Sequence, residues 1–253
     1  NSEGAGLSTY GGLQVYGNSH GFIGGYPGSR HSLSCSVVAK QDNAMQRDYW
    51  YTQARDPQEL EDGAQVGRTA AERTLRRLGS RSIATRQCPV LFAADTAVGL
   101  LRSLVGALRG ASLYRGASFL LDRLGDPIFP EFVHIHEDPL LPRGLASAAF
   151  DSEGVATRAR DLVSGGVLRS YVLDSYSACK LGMRTTGNAG GVRNLRIDPG
   201  PLDQAGLLRE MGSGLLVTEM MGHGVNLVTG DYSRGASGFW VENGAIAFPV
   251  EEI

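Results

Sequence analysis

The sequence predicts an α+β fold, with a mostly antiparallel, twisted or barrel-like sheet and two longer helices mid-chain. Glycine contributes 35 of the 253 residues, about twice the usual share of about 7%, which indicates many turns and close backbone approaches. Alternating apolar and polar residues toward both ends of the chain are typical of strands. Two central stretches instead carry apolar residues at helical spacing, which predicts the two helices.

The first part of the chain predicts antiparallel strands and then a helix. Residues 7–55 are rich in aromatic and β-branched residues, and clusters of Gly, Asn and Ser separate them. A first helix is expected from Asp56 to about Leu78, because Asp56 can cap its N-terminus and Pro57 suits the first turn.

The rest of the chain mixes strands with one long and one short helix. A helix capped by Asp95 and ending at Gly110 follows a buried strand at 89–93. Asp203 is expected to cap a short helix around Met211. Further strands are predicted at 132–136, 155–162, 167–173, 214–219, 225–229, 238–242 and 245–250.

Composition excludes several classes of function. Apolar residues make up 42% and charged residues 20% of the chain, which is enough for a packed core. A net charge of −2 gives no general attraction to nucleic acid or to an anionic membrane. No run approaches the roughly 18 apolar residues of a membrane span. Three cysteines far apart in sequence favour a reducing compartment, so we expect a cytoplasmic protein.

One histidine pair is a candidate metal site. His134 and His136 are two residues apart on a predicted strand, so both imidazoles face one side, and Glu137 follows them. The alternative is a pair of half-exposed strand residues, which the lack of an identifiable third ligand favours.

Two glycine-rich segments can present backbone N–H groups to an anion, or can simply pack as turns. We call residues 185–191 the glycine loop; the other segment contains Gly222 and Gly224. Neither is followed by the Lys-Ser/Thr pair that completes a phosphate-binding loop, which favours packing.

Longer motifs carry more information than these short patterns. The motifs are Asn18–Phe22, Gln46–Tyr51, Leu113–Leu121, Phe150–Val155, Ser175–Gly182, Thr186–Gly191, Thr218–Gly222 and Thr229–Trp240. Taken together and in this order, they resemble the TldD/PmbA family, and specifically its PmbA/TldE branch, over essentially the whole chain.

The resemblance implies that residues 1–253 are a C-terminal domain, separated from an N-terminal α/β domain that longer relatives carry. It implies a subunit of a TldD/TldE-type zinc metallopeptidase complex that degrades unstructured peptides and matures modified peptides of the microcin type. The family is also described as a modulator of DNA gyrase. The expected partner is a TldD-like subunit that holds the zinc.

The zinc motif of TldD-type relatives is degenerate in this chain. Their helix reads Leu-Leu-His-Glu-x-Val-Gly-His, whereas this chain has Leu-Leu-Arg-Ser-Leu-Val-Gly-Ala at 100–107. Arg102 and Ala107 replace the two ligands, and Ser103 replaces the catalytic glutamate. Arginine and alanine offer zinc no lone pair, and no general base remains there to activate water. The resemblance therefore implies a non-catalytic partner with no cofactor of its own.

Within this expectation, the glycine loop and residues 229–240 are candidates for the substrate cavity or the subunit interface, with buried turns as the alternative. Two other functions remain open. One is a peptide-binding or gyrase-pathway module without an enzymatic context, and the other is a self-sufficient metallopeptidase that uses His134 and His136. Without its mate, the chain is expected to be able to form a homodimer. The candidate residues are Gly187, Asn188, Gly190, Gly191, Asp231, Tyr232, Ser233 and Arg234.

Overall fold

The computed structural model describes residues 1–42 and 44–253, and it begins with a long three-stranded antiparallel sheet. The predicted run of antiparallel strands is confirmed. β1 lies at the edge, and its side chains are largely exposed. The strands, in spatial order, are β1 (Ser2–Gly17), β2 (Ile23–Gln41) and β3 (Ala44–Ala54).

The first helix begins later than the sequence predicts. Asp56 caps only a 3-10 turn (Pro57–Glu59), in which its carboxylate accepts a hydrogen bond from the Gln58 backbone N–H. Asp62 then caps α1 (Gly63–Leu75) by accepting from two backbone N–H groups. The prediction of one helix from Asp56 was wrong because a second capping aspartate starts a separate helix six residues later.

A second sheet carries the other long helix. Its order is β11-β10-β9-β4, and only the β4–β9 pair is parallel. Asp203 caps the short helix before β9, as predicted. The elements are β4 (Val90–Phe92), α2 (Ala94–Leu108), α3 (Gly110–Leu113), α5 (Gln204–Met211), β9 (Gly214–Met221), β10 (Gly235–Glu242) and β11 (Ala245–Val250).

A third, smaller sheet has the order β7-β6-β5-β8. The strand predicted at 155–162 begins only at Arg160, and the one at 132–136 is shifted to 135–137. The elements are β5 (Ile135–Glu137), β6 (Arg160–Ser164), β7 (Val167–Leu168), α4 (Ser175–Lys180) and β8 (Leu195–Ile197).

The strand predicted at 225–229 is a turn instead, so that prediction was wrong. The Asn226 side chain accepts from the Val228 N–H, and the Asn226 carbonyl accepts from the Gly230 N–H. An asparagine that bonds to its own backbone in this way favours a turn over an extended strand.

Ion pairs join the first sheet to the second. Arg73 and Arg77 on and just after α1 both approach Asp48 of β3. Arg73 also pairs with Asp95 at the start of α2, and Arg77 pairs with Glu219 of β9. Because both guanidinium groups are largely buried, these contacts fix the first sheet beside α2.

The predicted α+β class with mostly antiparallel strands and two longer helices is confirmed. Over residues 1–42 and 44–253, the strands form three open sheets and not one closed sheet. The main apolar core lies between the end of α2, the third sheet and α4, with Leu108, Leu162 and Leu173 fully buried. None of the helices in these residues is long and apolar enough to cross a membrane.

Candidate functional site

Helix α2 positions the three residues of the degenerate motif. It starts directly after β4, where the Ala93 N–H donates to Val217 O at 2.9 Å. The Thr96 hydroxyl lies within hydrogen-bond distance of the carbonyls of both Ala93 and Val217. The start of α2 is therefore tied to the middle of β9.

The motif residues lie on two different sides of α2. Ala107 is completely buried in the main core, next to Leu108. Arg102 is exposed and Ser103 is half-buried. Ser103 and Arg102 share the outer side with Gly99 and Gly106, because residues three, four and seven apart lie on one helix face. We call these four residues the α2 face.

The α2 face carries one exposed guanidinium group and one hydroxyl group that is already hydrogen-bonded within the helix. The Ser103 hydroxyl donates to the Gly99 carbonyl one turn earlier, at 3.1 Å. Within residues 1–42 and 44–253, the Arg102 guanidinium has no ion-pair partner within 4 Å. This surface can bind a carbonyl or a carboxylate, but it offers no side chain that could take a proton from water.

The two glycines of the α2 face allow the end of β9 and the chain after it to approach closely. A Cβ on Gly99 would lie 2.8 Å from the methyl carbon of Met220, and one on Gly106 would lie 3.3 Å from Leu227. Both distances are shorter than ordinary van der Waals contact. We call residues 222–234, between β9 and β10, the exposed turn; it lies directly against the α2 face.

The exposed turn is held by a few local hydrogen bonds. The Thr229 hydroxyl donates to the Asp231 carboxylate at 2.6 Å, and the Asn226 N–H donates to the Asp231 carbonyl at 2.9 Å. The Tyr232 hydroxyl lies 3.0 Å from the sulfur of Met220, and the Arg234 Nε donates to the Met221 carbonyl. Asp231, Tyr232 and Ser233 face solvent, so they are available to a partner or a peptide.

The glycine loop is held by two buried carboxylates. Asn188 donates through its side-chain amide to both oxygens of Glu137, at 2.9 and 3.1 Å. The Arg193 N–H, just after the loop, also donates to Glu137. The Ala189 N–H donates to Asp151 at 2.9 Å. Glu137 and Asp151 are 1% and 2% exposed, so most of this loop is a packed turn.

The glycines of this loop serve backbone geometry. Gly187, Gly190 and Gly191 all have positive φ angles, which residues other than glycine rarely adopt. A Cβ on Gly187 would lie 2.9 Å from the carbonyl oxygen of Ala156. Only Gly190 of the three is exposed. At its end the loop reaches the C-terminus of α2, where Gly191 lies against the Arg109 side chain.

The structure does not bring His134, His136 and Glu137 together. The two histidines face one side of β5, as expected, whereas Glu137 points into the core on the other side. His134 Nδ1 accepts from the Gly165 N–H, and His136 Nδ1 lies 3.5 Å from an Asp198 carboxylate oxygen. The Glu137 carboxylate is committed to Asn188, Arg193 and an ion pair with Arg160 Nε at 3.2 Å.

The residues at the degenerate motif positions, Arg102, Ser103 and Ala107, do not fit the zinc that the resemblance implies. Arginine and alanine supply no metal ligand, and a lone serine hydroxyl is a poor one. Over residues 1–42 and 44–253, no group of three His, Cys, Asp or Glu side chains could hold a metal ion. No chemical step of this chain is therefore assigned to a metal.

Two features of this region escaped sequence reasoning. Gly99 and Gly106 lie within the predicted second helix without an assigned role, although glycines two turns apart in a helix indicate a close neighbour. Asp151 was seen only within a motif, and its role in holding the Ala189 N–H depends on a contact between residues 38 positions apart in sequence. Nothing local signals that contact.

Comparison with known proteins agrees with this description. The family model described as the PmbA/TldA metallopeptidase C-terminal domain matches residues 85–253, and the one described as the central domain matches residues 2–78. Metalloprotease PmbA of Escherichia coli O157:H7 is 51% identical over 253 residues, which are 100% of this chain and 56% of that protein. The chain thus spans little more than half the length of this relative.

Solved structures share the fold. The crystal structure of a proposed modulator of DNA gyrase from Bacteroides thetaiotaomicron has a TM-score of 0.92 and 30% identity, covering 98% of this chain and 56% of that one. TldE from Thermococcus kodakarensis has a TM-score of 0.83 and 21% identity, covering 97% of this chain and 58% of that one, which supports the fold alone. On the family models that match nearly its whole length, this chain belongs to the PmbA/TldD family of metallopeptidases.

Proposed function

We propose that this chain is the supporting subunit of a two-subunit metallopeptidase that cleaves unstructured peptides, with the zinc held by a TldD-like partner. Modified peptide precursors of the microcin type are the substrates that the resemblance suggests. The names of the relatives are consistent with a peptidase-family role.

The chemistry of the degenerate motif positions carries the proposal. At the positions where the resemblance expects two ligands and a base, the chain has an exposed guanidinium, a hydroxyl bonded to its own helix and a fully buried methyl group. Ala107 cannot be turned outward without moving the core residue Leu108 beside it. A zinc site could therefore not be assembled here by a change of side-chain rotamers.

The exposed turn supports a role in holding the peptide or docking the partner. Asp231, Tyr232 and Ser233 combine a carboxylate, an aromatic ring and a hydroxyl on a solvent-facing segment that is packed on the α2 face. Loops with few internal contacts, placed on a rigid scaffold, commonly bind ligands. By contrast, the burial of the glycine loop favours a structural role for Asn188.

A reconstitution assay tests the proposal. The full-length protein and a TldD-like partner are purified separately and given an unstructured peptide, alone and mixed, with and without a chelator. We expect cleavage in the mixture only, abolished by the chelator, and no stoichiometric zinc in this protein by metal analysis.

A double variant, His134→Ala with His136→Ala, is the matched control. It is expected to leave cleavage by the mixture unchanged, because neither histidine belongs to the proposed surface. Chelator-sensitive cleavage by this protein alone, lost in the double variant, would overturn the proposal in favour of a self-sufficient enzyme. Peptide binding without cleavage in any mixture would overturn it in favour of a binding module.

A further inference from the structure

A cleft beside the third sheet is lined by three arginines. It has a volume of about 600 Å³ and lies between β6, the residues that directly follow β7 and the first residues of the glycine loop. This volume is within the range of small-ligand sites in proteins. The arginines are Arg158, Arg160 and Arg169, and Asp161 is the only acidic residue in the lining.

Arg160 forms part of the rigid wall of the cleft. Its side chain is 15% exposed, and its guanidinium is placed between the Glu137 carboxylate and the Thr186 carbonyl. Burial lowers the pKa of Arg160, and the neighbouring Glu137 partly offsets that effect. Because Glu137 compensates its charge, Arg160 has little attraction left for a ligand.

Arg158 and Arg169 are in a different situation. Both are exposed, and within residues 1–42 and 44–253 neither side chain has a carboxylate within 4 Å or a side-chain hydrogen bond. They therefore supply two uncompensated guanidinium groups to the same cleft. Guanidinium groups bind carboxylate and phosphate oxygens through paired N–H donors.

The hydroxyl groups in the lining are already hydrogen-bonded within the protein. The Ser170 hydroxyl donates to the Tyr171 carbonyl at 3.0 Å, and the Thr185 hydroxyl lies within hydrogen-bond distance of the Leu173 carbonyl. The Thr186 hydroxyl is engaged with Leu173 and Asn188. The exposed Asp161 carboxylate offsets one of the two free arginine charges, so the two guanidinium groups still leave the cleft with an excess of positive charge that selects for a negatively charged ligand.

We propose that this cleft is a binding site for an oxyanion group, a carboxylate or a phosphate, held by Arg158 and Arg169. The site is separate from the α2 face and from the exposed turn. It does not depend on the proposed function, because binding is measured on this protein by itself, without a partner or cleavage.

Calorimetric titration of the full-length protein tests the site with two probes. One is inorganic phosphate, and the other is a blocked Gly-Glu-Gly peptide whose only charge is its side-chain carboxylate. We expect saturable binding of at least one probe, weakened by added salt. Binding of phosphate alone assigns the site to phosphate groups, and binding of the peptide assigns it to peptide carboxylates.

Single arginine variants identify the residues. Arg158→Gln and Arg169→Gln are each expected to weaken binding by about tenfold, as the loss of a hydrogen bond to a charged group predicts. Arg68→Gln removes the same charge from the exposed side of α1 and is expected to change nothing. Unfolding midpoints should be unaltered in all three variants, because each side chain is exposed.

The proposal is overturned if neither probe binds. It is also overturned if the double variant Arg158→Gln with Arg169→Gln binds as tightly as the unmodified protein, or if Arg68→Gln weakens binding equally.

Discussion

The glycine loop and the exposed turn look alike in sequence but are held in the fold in opposite ways. Both are rich in glycine, and both contain asparagine or aspartate beside small residues. In the glycine loop, Asn188 and Ala189 donate to two buried carboxylates. In the exposed turn, Asp231 is bonded only to its near neighbours and faces solvent.

The difference lies in where the hydrogen-bond partners come from. Glu137 and Asp151 reach the glycine loop from positions more than 35 residues away in sequence. A buried carboxylate costs free energy unless it is fully bonded, so these contacts fix the loop in one conformation. The exposed turn is joined to a distant segment at one point, where the Phe119 N–H donates to the Leu227 carbonyl at 2.8 Å. Its residues Asp231, Tyr232 and Ser233 nevertheless face solvent and are left free for binding.

The largest expected effect comes from removing Glu137. Glu137→Ala leaves the partly buried Arg160 without its carboxylate, and the Asn188 amide keeps only the Gly191 carbonyl as an acceptor. Breaking a buried pair in this way costs about 3–5 kcal/mol, which urea unfolding can measure. His134→Ala, at an exposed position just before the same strand, should change the free energy of unfolding by less than about 0.5 kcal/mol. Equal effects would mean that the glycine loop is not held by Glu137.

A pair of glycine substitutions compares the two regions directly. Gly187 and Gly222 have nearly the same φ angle, 70° and 75°, but only Gly187 has backbone within contact of a new Cβ. Gly222→Ala should cost about 1 kcal/mol from backbone strain alone. Gly187→Ala should cost about 3 kcal/mol, because overpacking adds to the strain. Similar losses in urea unfolding would contradict the difference in packing.

The pH dependence of stability tests the segment at Leu173 and Asp174, to which the glycine loop is hydrogen-bonded. The Thr186 N–H donates to the carbonyl of Leu173, and the next residue, Asp174, caps α4. Hydrogen bonds from the Ser177 N–H and hydroxyl lower the pKa of Asp174. The folded state therefore favours the charged form. Its contribution is complete above the ordinary aspartate pKa of about 4 and is lost as the pH falls through the lower, folded value.

The matching variant is Asp174→Asn. It should cost less than about 1 kcal/mol near neutral pH, because asparagine still caps the helix but the negative charge at its N-terminus is lost, and it should remove this part of the decline in stability below about pH 4. Urea unfolding between pH 7 and pH 3 measures both. An unchanged acid profile would show that Asp174 does not carry this dependence.

The smallest expected effect on the free energy of unfolding comes from a substitution in the exposed turn. The same substitution is expected to reduce cleavage strongly. Asp231→Asn keeps the shape of the side chain and should alter the free energy of unfolding by less than about 0.5 kcal/mol. If this carboxylate contacts peptide or partner, cleavage by the reconstituted pair should fall by about tenfold. Asp122→Asn, the same change at another exposed aspartate, should leave cleavage intact. Full activity of Asp231→Asn would remove this carboxylate from the proposed surface.

Short-range sequence patterns predicted which helices and strands exist better than they predicted the residues at which these elements begin and end. Asp203 and its helix were placed correctly because an N-cap is a contact between neighbours. The first helix was started too early because Asp56 and Asp62 are both able to cap, and only the fold shows which one starts α1. The strand at 225–229 was wrong because the side chain of Asn226 competes for the backbone.

For the same reason, the sequence predicted the residue types in the candidate site but not which segments pack together there. The loss of zinc ligands at Arg102 and Ala107 can be read from residue types alone, since no conformation gives these side chains a lone pair. The closeness of the exposed turn to the α2 face required the structure, because it depends on Gly99 and Gly106 meeting residues more than 100 positions away.

The sequence by itself determined the α+β class, the antiparallel strands and the glycine-rich turns, since each rests on residue type or short-range spacing. The resemblance to the family identified the motif positions at which Arg102, Ser103 and Ala107 stand. Only the tertiary structure decided that Glu137 and Asp151 hold the glycine loop, that the exposed turn lies on α2, and that Arg158 and Arg169 share a cleft. These contacts join residues distant in sequence, and the burial that gives a carboxylate or an arginine its role is a property of the packed molecule.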